Sequence, residues 1–308
     1  MQSLHPMSIY WNEQYCAPAT EFETFKKSRF IVDAIRGKQH LASRVILEDP
    51  ATSPDMLQLA QRLIQENLTP EYYEAVTTGQ PRDLASSNGF SWDAGIWQQV
   101  LHSTAGILCA VDDVCVRGHR QSCSLSSGLH HARPDTGAGF CTVNSLAIGA
   151  LYARKGGRVV VLDLDAHWGG GTTRHIKGTG VLQIDLSTSN YDTYPASDLD
   201  DGSRVYFADA HNYFDTLSTA LAALTATQPD IVFYNAGVDV SPKLTEAQVG
   251  ERDRIVAEHL RGLGCKTILV MAGGYGDYKT IAEMHVATIA ALCSTHSRNI
   301  PASTDQHY

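Results

Sequence analysis

The chain carries no basic surplus, no closely paired cysteines and no apolar run long enough to cross a bilayer. Its formal net charge is −9 over 308 residues, whereas a general nucleic-acid binder carries a basic patch or stripe, so direct nucleic-acid binding is not expected. An acidic balance still admits a cationic ligand, which an acidic rim would attract. Seven cysteines, scattered without a C-x-x-C pair, look like reduced thiols rather than a disulfide framework. "MQSLHPMSIYWNEQY" lacks the basic-then-apolar order of a secretory leader, and no stretch approaches the ~20 uninterrupted apolar residues of a membrane span. The glycines at 169–171 are not followed by G-K-[ST], and Arg174 stands where G-x-G-x-x-G wants its third glycine. The G-x-S-x-G elbow of serine hydrolases is missing as well. These absences leave the expectation of a soluble, cytoplasmic protein with no membrane partner, and they carry no signal of oligomeric state.

What is present is an ordinary globular balance, 43% hydrophobic and 19% charged, and enough chain to bury a sizeable core. Short β-branched runs recur: "RVVVLDL" (158–164), "VLQIDL" (181–186), "DIVFYNAG" (230–237) and "TILVMAGG" (267–274). Continuous apolar runs of this length suit strands buried on both faces. Helical patterns fill 92–114, 142–157, 213–228 and 246–264, and glycine ends two of them, as helix C-termini favour. Strand alternating with helix predicts an α/β protein with a mainly parallel sheet. The first ninety residues show little strand alternation beyond "SIYW". They are expected to pack on the sheet within one domain spanning 1–308.

Ligands of parallel sheets bind beyond the carboxyl ends of the strands, and chemistry gathers at three of these ends. "VVVLDLDAHWGGGT" gives Asp163, Asp165 and His167 at alternate positions; "NAGVDV" gives Asp239; "AGGYGD" gives Tyr275. A glycine-rich loop, "SGLHHARPDTGAGFCTVN", adds His130 and His131. Period-two geometry puts 163, 165 and 167 on one side while the chain stays extended. Two buried carboxylates repel and are costly unpaired; a divalent cation removes both problems. Asp165, His167 and Asp239 together make a three-ligand zinc site with an open fourth position, and Fe²⁺ suits the same donors. Taken singly, D-x-D-x-H also fits a capping cluster, Asp239 a turn residue and the His pair ordinary packing. Their joint occurrence favours the metal.

"GLHHARPDTGAGFCTVN", "VLDLDAHWGGGT", "YNAGVDV" and "MAGGY", in that order over roughly 89–280, resemble the motifs of the histone deacetylase family within the arginase–deacetylase superfamily. The wording of "DLDAH" and "VFYNAGVDV" is closer to class IV and bacterial members than to class I. The resemblance implies a three-layer α/β/α fold with a central, mainly parallel sheet and zinc-dependent hydrolysis of an acyl-amide. It implies Asp165, His167 and Asp239 as zinc ligands, and His131 as the base that deprotonates the attacking water and then protonates the departing amine. His130 gives electrostatic support, oriented by Asp163, and Tyr275 hydrogen-bonds the scissile carbonyl. It further implies a substrate tunnel at Gly139, Phe140 and Tyr194, and a structural K⁺ or Na⁺ held around Asp163, Asp165, His167, Asp185 and Leu186. The substrate so implied is an N-acylated amine: acetyl-lysine in a protein, an acetylpolyamine or another small amide.

The chain departs from the family pattern in places. Gly170 stands where relatives often place an Asp or Asn against the second histidine, which leaves His131 without an evident orienting group. Trp168 replaces a common histidine, and Asp185 stands where serine is frequent. Where several relatives carry an acidic grip on the substrate backbone, "SSNGFSWDAG" offers Ser91, with Asp93 close by. Two rival functions remain. An arginase-like binuclear manganese ureohydrolase needs a further carboxylate in D-x-H-x-D, where this chain has Gly169. A non-catalytic module binding acylated ligands would have less use for Tyr275.

Overall fold

The structure is a computed structural model that describes residues 6–18, 23–127, 129–200 and 202–294; Gly128, the first residue of the histidine motif, lies outside them. The four apolar runs form β4 (Val159–Asp163), β5 (Leu182–Ser187), β7 (Ile231–Ala236) and β8 (Lys266–Met271). Four shorter strands join them: β1 (Met7–Tyr10), β2 (Val45–Glu48), β3 (Gln121–Ser124) and β6 (Arg204–Phe207). Their order is β2-β1-β3-β8-β7-β4-β5-β6, and every neighbouring pair is parallel.

Alternation along each central strand explains the layers. Val160, Leu162, Val232, Tyr234, Leu269 and Met271 pack into one apolar cluster, whereas Val159, Val161, Ile231, Phe233, Ile268 and Val270 pack into another. Both faces of β4, β7 and β8 are therefore covered, which is why they read as unbroken apolar runs. The first cluster is closed by α1 (Lys27–Arg36), α9 (Tyr213–Thr227), α10 (Glu246–Leu263) and α11 (Tyr278–Cys293). The second is closed by α6 (Ala94–Cys115) and α7 (Ser145–Ala153), with Ile176 of the short α8 (Gly170–Ile176). Helix, sheet and helix make the three-layer α/β/α architecture expected of the sequence.

The N-terminal part does more than pack on the sheet, because β1 and β2 extend its edge. It also supplies α2 (Gln39–Ala42), α3 (Pro54–Asn67), α4 (Pro70–Thr78) and α5 (Arg82–Ala85). Local chemistry fixes several helix ends. Thr245 and Gln248 form a capping box at α10, and Gly264 ends it at φ 70°. Asp277 caps α11 through the Thr280 amide, and Asp93 caps α6 through the Gly95 amide at 2.6 Å. The seven cysteines are free thiols. No helix among the described residues is long and apolar enough to cross a membrane.

Candidate active site and metal centre

Past their last paired residues, β4 and β7 turn their backbones into a cradle. Asp163 pairs with Asn235 across the two strands and with Asp185 across β4 and β5. Asn235 Nδ2 donates to Asp163 Oδ1 at 2.9 Å, and His130 Nδ1 donates to Asp163 Oδ2 at 2.8 Å. Two residues on, the Gly273 amide donates to Asp165 Oδ2 at 2.7 Å and the His167 amide to Asp165 Oδ1 at 3.0 Å. The Ala166 amide donates to Asp239 Oδ1 at 3.0 Å. Asp239 Oδ2 is buried with no hydrogen-bond partner, and His167 Nδ1 stands 3.2 Å from both this oxygen and Asp165 Oδ1.

Donor atoms of Asp165, His167 and Asp239 thus lie within 4.8 Å of one another. Glycine at 273 is what allows it. A Cβ there would fall 2.0 Å from Asp239 Oδ2 and 2.6 Å from Asp165 Oδ2, closer than any side chain tolerates. The electrostatics mark the same spot. Burial alone would raise the Asp165 carboxyl, but His130 and His167 reverse it and hold it well below the usual carboxylate range. Burial and the Asp165 charge raise Asp239. The Asp165 carboxylate, then that of Asp239, pushes His167 up to about 10. An orphaned buried carboxylate oxygen facing a second carboxylate and an imidazole is the donor set a divalent cation takes.

His130 and His131 lie side by side, ring centroids 4.1 Å apart, with opposite electrostatic fates. Burial opposes charge on His130, yet Asp163 and Asp165 push its pKa well above the ordinary histidine value. Burial, then the charge of His130, lower that of His131. The group that orients His131 is Asp192, whose Oδ2 accepts from His131 Nδ1 at 2.9 Å; its other oxygen accepts from Arg133. Asp192 adopts φ 60°, a left-handed conformation that aspartate tolerates better than most residues. Gly170 makes room for it: a Cβ at 170 would sit 2.6 Å from the Asp192 carbonyl oxygen and 2.7 Å from its carboxylate.

A cleft of about 450 Å³ opens over these groups, lined by His130, His131, Gly139, Phe140, Asp165 and Tyr275 among others. Gly139 faces His131, and Phe140 continues an aromatic row through Phe90 to Phe25, each step 5.2 Å. Tyr275 is half-exposed here; partial burial of its hydroxyl, then Asp165 and Asp239, push its pKa above the ordinary phenol value.

Tyr194, expected at the tunnel, points elsewhere: its hydroxyl donates to Asp185 Oδ2 at 2.8 Å and its ring packs edge-on to Trp168. The aromatic beside the histidines is Tyr191, edge-on to His131 at 4.9 Å and to His167 at 5.8 Å. The turn at Asp192 separates the two tyrosines and directs them apart. Asp93 is committed to its helix cap, and Ser91 is exposed. Asp185 and Leu186 are fully buried on β5, and Asp185 Oδ1 has no partner. Burial and the neighbouring Asp163 push the Asp185 carboxyl up to about 8.

Sequence reasoning missed Asp192, Tyr191 and a third residue, Lys27. This lysine is buried in the cleft, donates to the Ala272 carbonyl, and is lowered to about 8 by burial. In "FKKSRF" nothing distinguishes it from the exposed Lys26.

Comparison with known proteins places these features in a wider set. Residues 25–292 match the family described as "Histone deacetylase domain". An uncharacterized protein of Picosynechococcus sp. is 28% identical over 292 residues, covering 87% of this chain and 91% of that protein. The acetoin utilization protein AcuC of Staphylococcus aureus is 42% identical over 69 residues, 22% of this chain and 18% of that protein. Among solved structures, the HD domain of HDA15 shares the fold, with a TM-score of 0.75, 21% identity, and coverage of 94% of this chain and 89% of that one.

Proposed function

The chain belongs to the histone deacetylase family, and from that premise we propose that it is a metal-dependent amidohydrolase that removes an acyl group, in the first instance acetyl, from an N-acylated amine. Asp165, His167 and Asp239 would hold the metal, Zn²⁺ or Fe²⁺. The buried oxygen of Asp239 without a partner and the close approach permitted by Gly273 support that fit. When bound, such a cation supplies Lewis acidity toward the scissile carbonyl and lowers the pKa of water toward ~7.

The chain's own residues divide the remaining work. His131, kept neutral by burial and by its charged neighbour, takes the proton of the attacking water. With Nδ1 committed to Asp192, Nε2 is the nitrogen left for this transfer. The same nitrogen returns the proton to the departing amine, so that amide and water become carboxylate and amine. His130, fixed by Asp163 and cationic, gives electrostatic support to the negative charge that develops as water adds to the carbonyl. Tyr275, whose raised pKa keeps it a phenol across the working pH range, donates to the developing oxyanion. Lys27 supplies a buried cation for the carboxylate product. Phe140 and Tyr191 pack against the substrate's extended chain near Gly139.

Asp185, with one orphaned oxygen beside Asp163, supports a structural K⁺ or Na⁺ close to the Asp163, Asp165, His167 and Leu186 segment. Seven free thiols suit a reducing cytoplasm. The observation that carries the proposal is the convergence of the three-donor set, the split histidine pair and Tyr275 in one cleft. It is tested by assaying the metal-loaded protein against acetyl-lysine peptides, acetylpolyamines and small N-acyl amides, with and without chelator. Chelator-sensitive release of carboxylate is expected; turnover indifferent to chelation would overturn it.

A further inference from the structure

Behind the cleft lies a charge that the chemistry above does not use. Arg252 on α10 is fully buried. Its Nη1 donates to two backbone carbonyls, Leu164 at 3.1 Å and Gly237 at 2.7 Å. Leu164 immediately precedes Asp165, and Gly237 lies two residues before Asp239. One nitrogen therefore bridges the two strand ends that carry the carboxylates of the donor set.

The position is informative because strand pairing has stopped there. β4 and β7 are in register through Asp163 and Asn235, and their last backbone bond runs from the Leu164 amide to the Asn235 carbonyl at 3.1 Å. Beyond it the two chains diverge, and carbonyls left without a ladder partner need another donor. The guanidinium supplies it, and its planar fork fixes both directions at once. Its remaining anchor is equally defined. Nε donates to Asp253 Oδ1 at 2.7 Å, and Asp253 also accepts from the Tyr234 hydroxyl of β7 and the Thr288 hydroxyl of α11. The charge is thus paired, and its partner Asp253 is tied to β7 of the sheet and to α11 packed on it.

Buried ion pairs can often be exchanged for apolar residues without loss of stability, so the clamp's contribution is sought in geometry. We propose that Arg252 is a positioning residue that sets the separation of Asp165 and Asp239 and, through it, the affinity of the metal centre. This rests on the reading of Asp165, His167 and Asp239 as metal ligands.

The test uses the full chain stripped by chelation and titrated with Co²⁺, following visible absorption together with the melting temperature of the apo protein. Arg252→Lys keeps a charge, but its single ammonium cannot stand at the Nε position beside Asp253 and at the Nη1 position between the two carbonyls at once. It should weaken Co²⁺ binding by about 10–100-fold, the usual scale for groups that orient ligands, and alter the absorption bands. Leu260→Ala, two turns further along α10 in the apolar cluster, opens a cavity without touching the Arg252–Asp253 network. It should lower the apo melting temperature and leave Co²⁺ affinity unchanged. If the lysine variant does not fold, Arg252→Met combined with Asp253→Asn removes both charges, and the same affinity loss is expected. Wild-type affinity and spectrum in the folded Arg252 variant would overturn the proposal, as would parallel loss of affinity in Leu260→Ala. Failure of the ligand reading looks different: Asp165→Ala would then bind Co²⁺ as wild type does.

Discussion

Replacing Asp192 with asparagine keeps shape and volume but leaves one oxygen where two donors converge. His131 Nδ1 uses one carboxylate oxygen at 2.9 Å and Arg133 uses the other. The asparagine NH₂ must therefore face either an imidazole N–H or a guanidinium, and His131 loses the negative charge that raises its pKa. Each unit of further depression weakens the base by about 1.4 kcal/mol, a factor of ~10. Loss of a positioned acid–base group costs ~10²–10⁴ in rate; because Nε2 keeps its place near the cleft, a fall in kcat/KM of about 10²-fold is expected. The sign of the pH effect follows from the direction of the shift. A base whose pKa falls stays deprotonated to lower pH, so the acid limb of the kcat/KM profile should move to lower pH while metal content stays at the wild-type level. The assay is a kcat/KM–pH profile on whichever N-acyl amide the wild type turns over. Turnover within about twofold of wild type, with an unmoved acid limb, would refute the assignment of His131 and Asp192 as a working pair.

Other variants probe separate parts of the cleft. Tyr275→Phe should lower kcat by ~10²–10³-fold, the scale of a lost oxyanion donor, with metal content intact by elemental analysis. Asp239→Ala should lose the metal and with it all chelator-sensitive turnover. Tyr191→Ala should raise KM, whereas Tyr194→Phe, a change beside Asp185, should leave KM alone; steady-state kinetics separate the two. Gly170→Ala places a methyl against the Asp192 backbone, so it should push that turn away and lower kcat in a protein of wild-type far-UV circular dichroism.

Much of this architecture was legible along the chain, for physical reasons that also mark where legibility stopped. β4, β7 and β8 announce themselves because each is covered on both faces, so every residue of "VVVL" or "IVFY" is apolar. β3 reads "QSCS" and is buried from Ser122 to Ser124, but small polar residues satisfied by neighbours carry no periodic signal. β2 and β6 are four-residue edge strands with half-exposed patterns. At the site, Asp163, Asp165 and His167 are neighbours in sequence: β4 ends at Asp163 and the bend that follows it carries Asp165 and His167, so their grouping is local. Asp192, Lys27 and Arg252 are different. Asp192 meets His131 across 61 positions because of one left-handed residue and one missing Cβ at Gly170. Lys27 is buried, and Lys26 is not, by the way α1 docks. Arg252 reads as one of several charges on an amphipathic helix until the helix is placed behind the strand ends. Tertiary contacts decide all three.

The chemistry proposed for the cleft requires a single divalent cation per chain at Asp165, His167 and Asp239. Its most direct test is a titration of metal-stripped protein with Zn²⁺ or Fe²⁺, measuring amide hydrolysis and bound metal on the same samples. Turnover should rise in proportion to bound metal and saturate at one ion per chain. Hydrolysis that survives complete stripping, or that reaches its maximum only at two ions per chain, would contradict it.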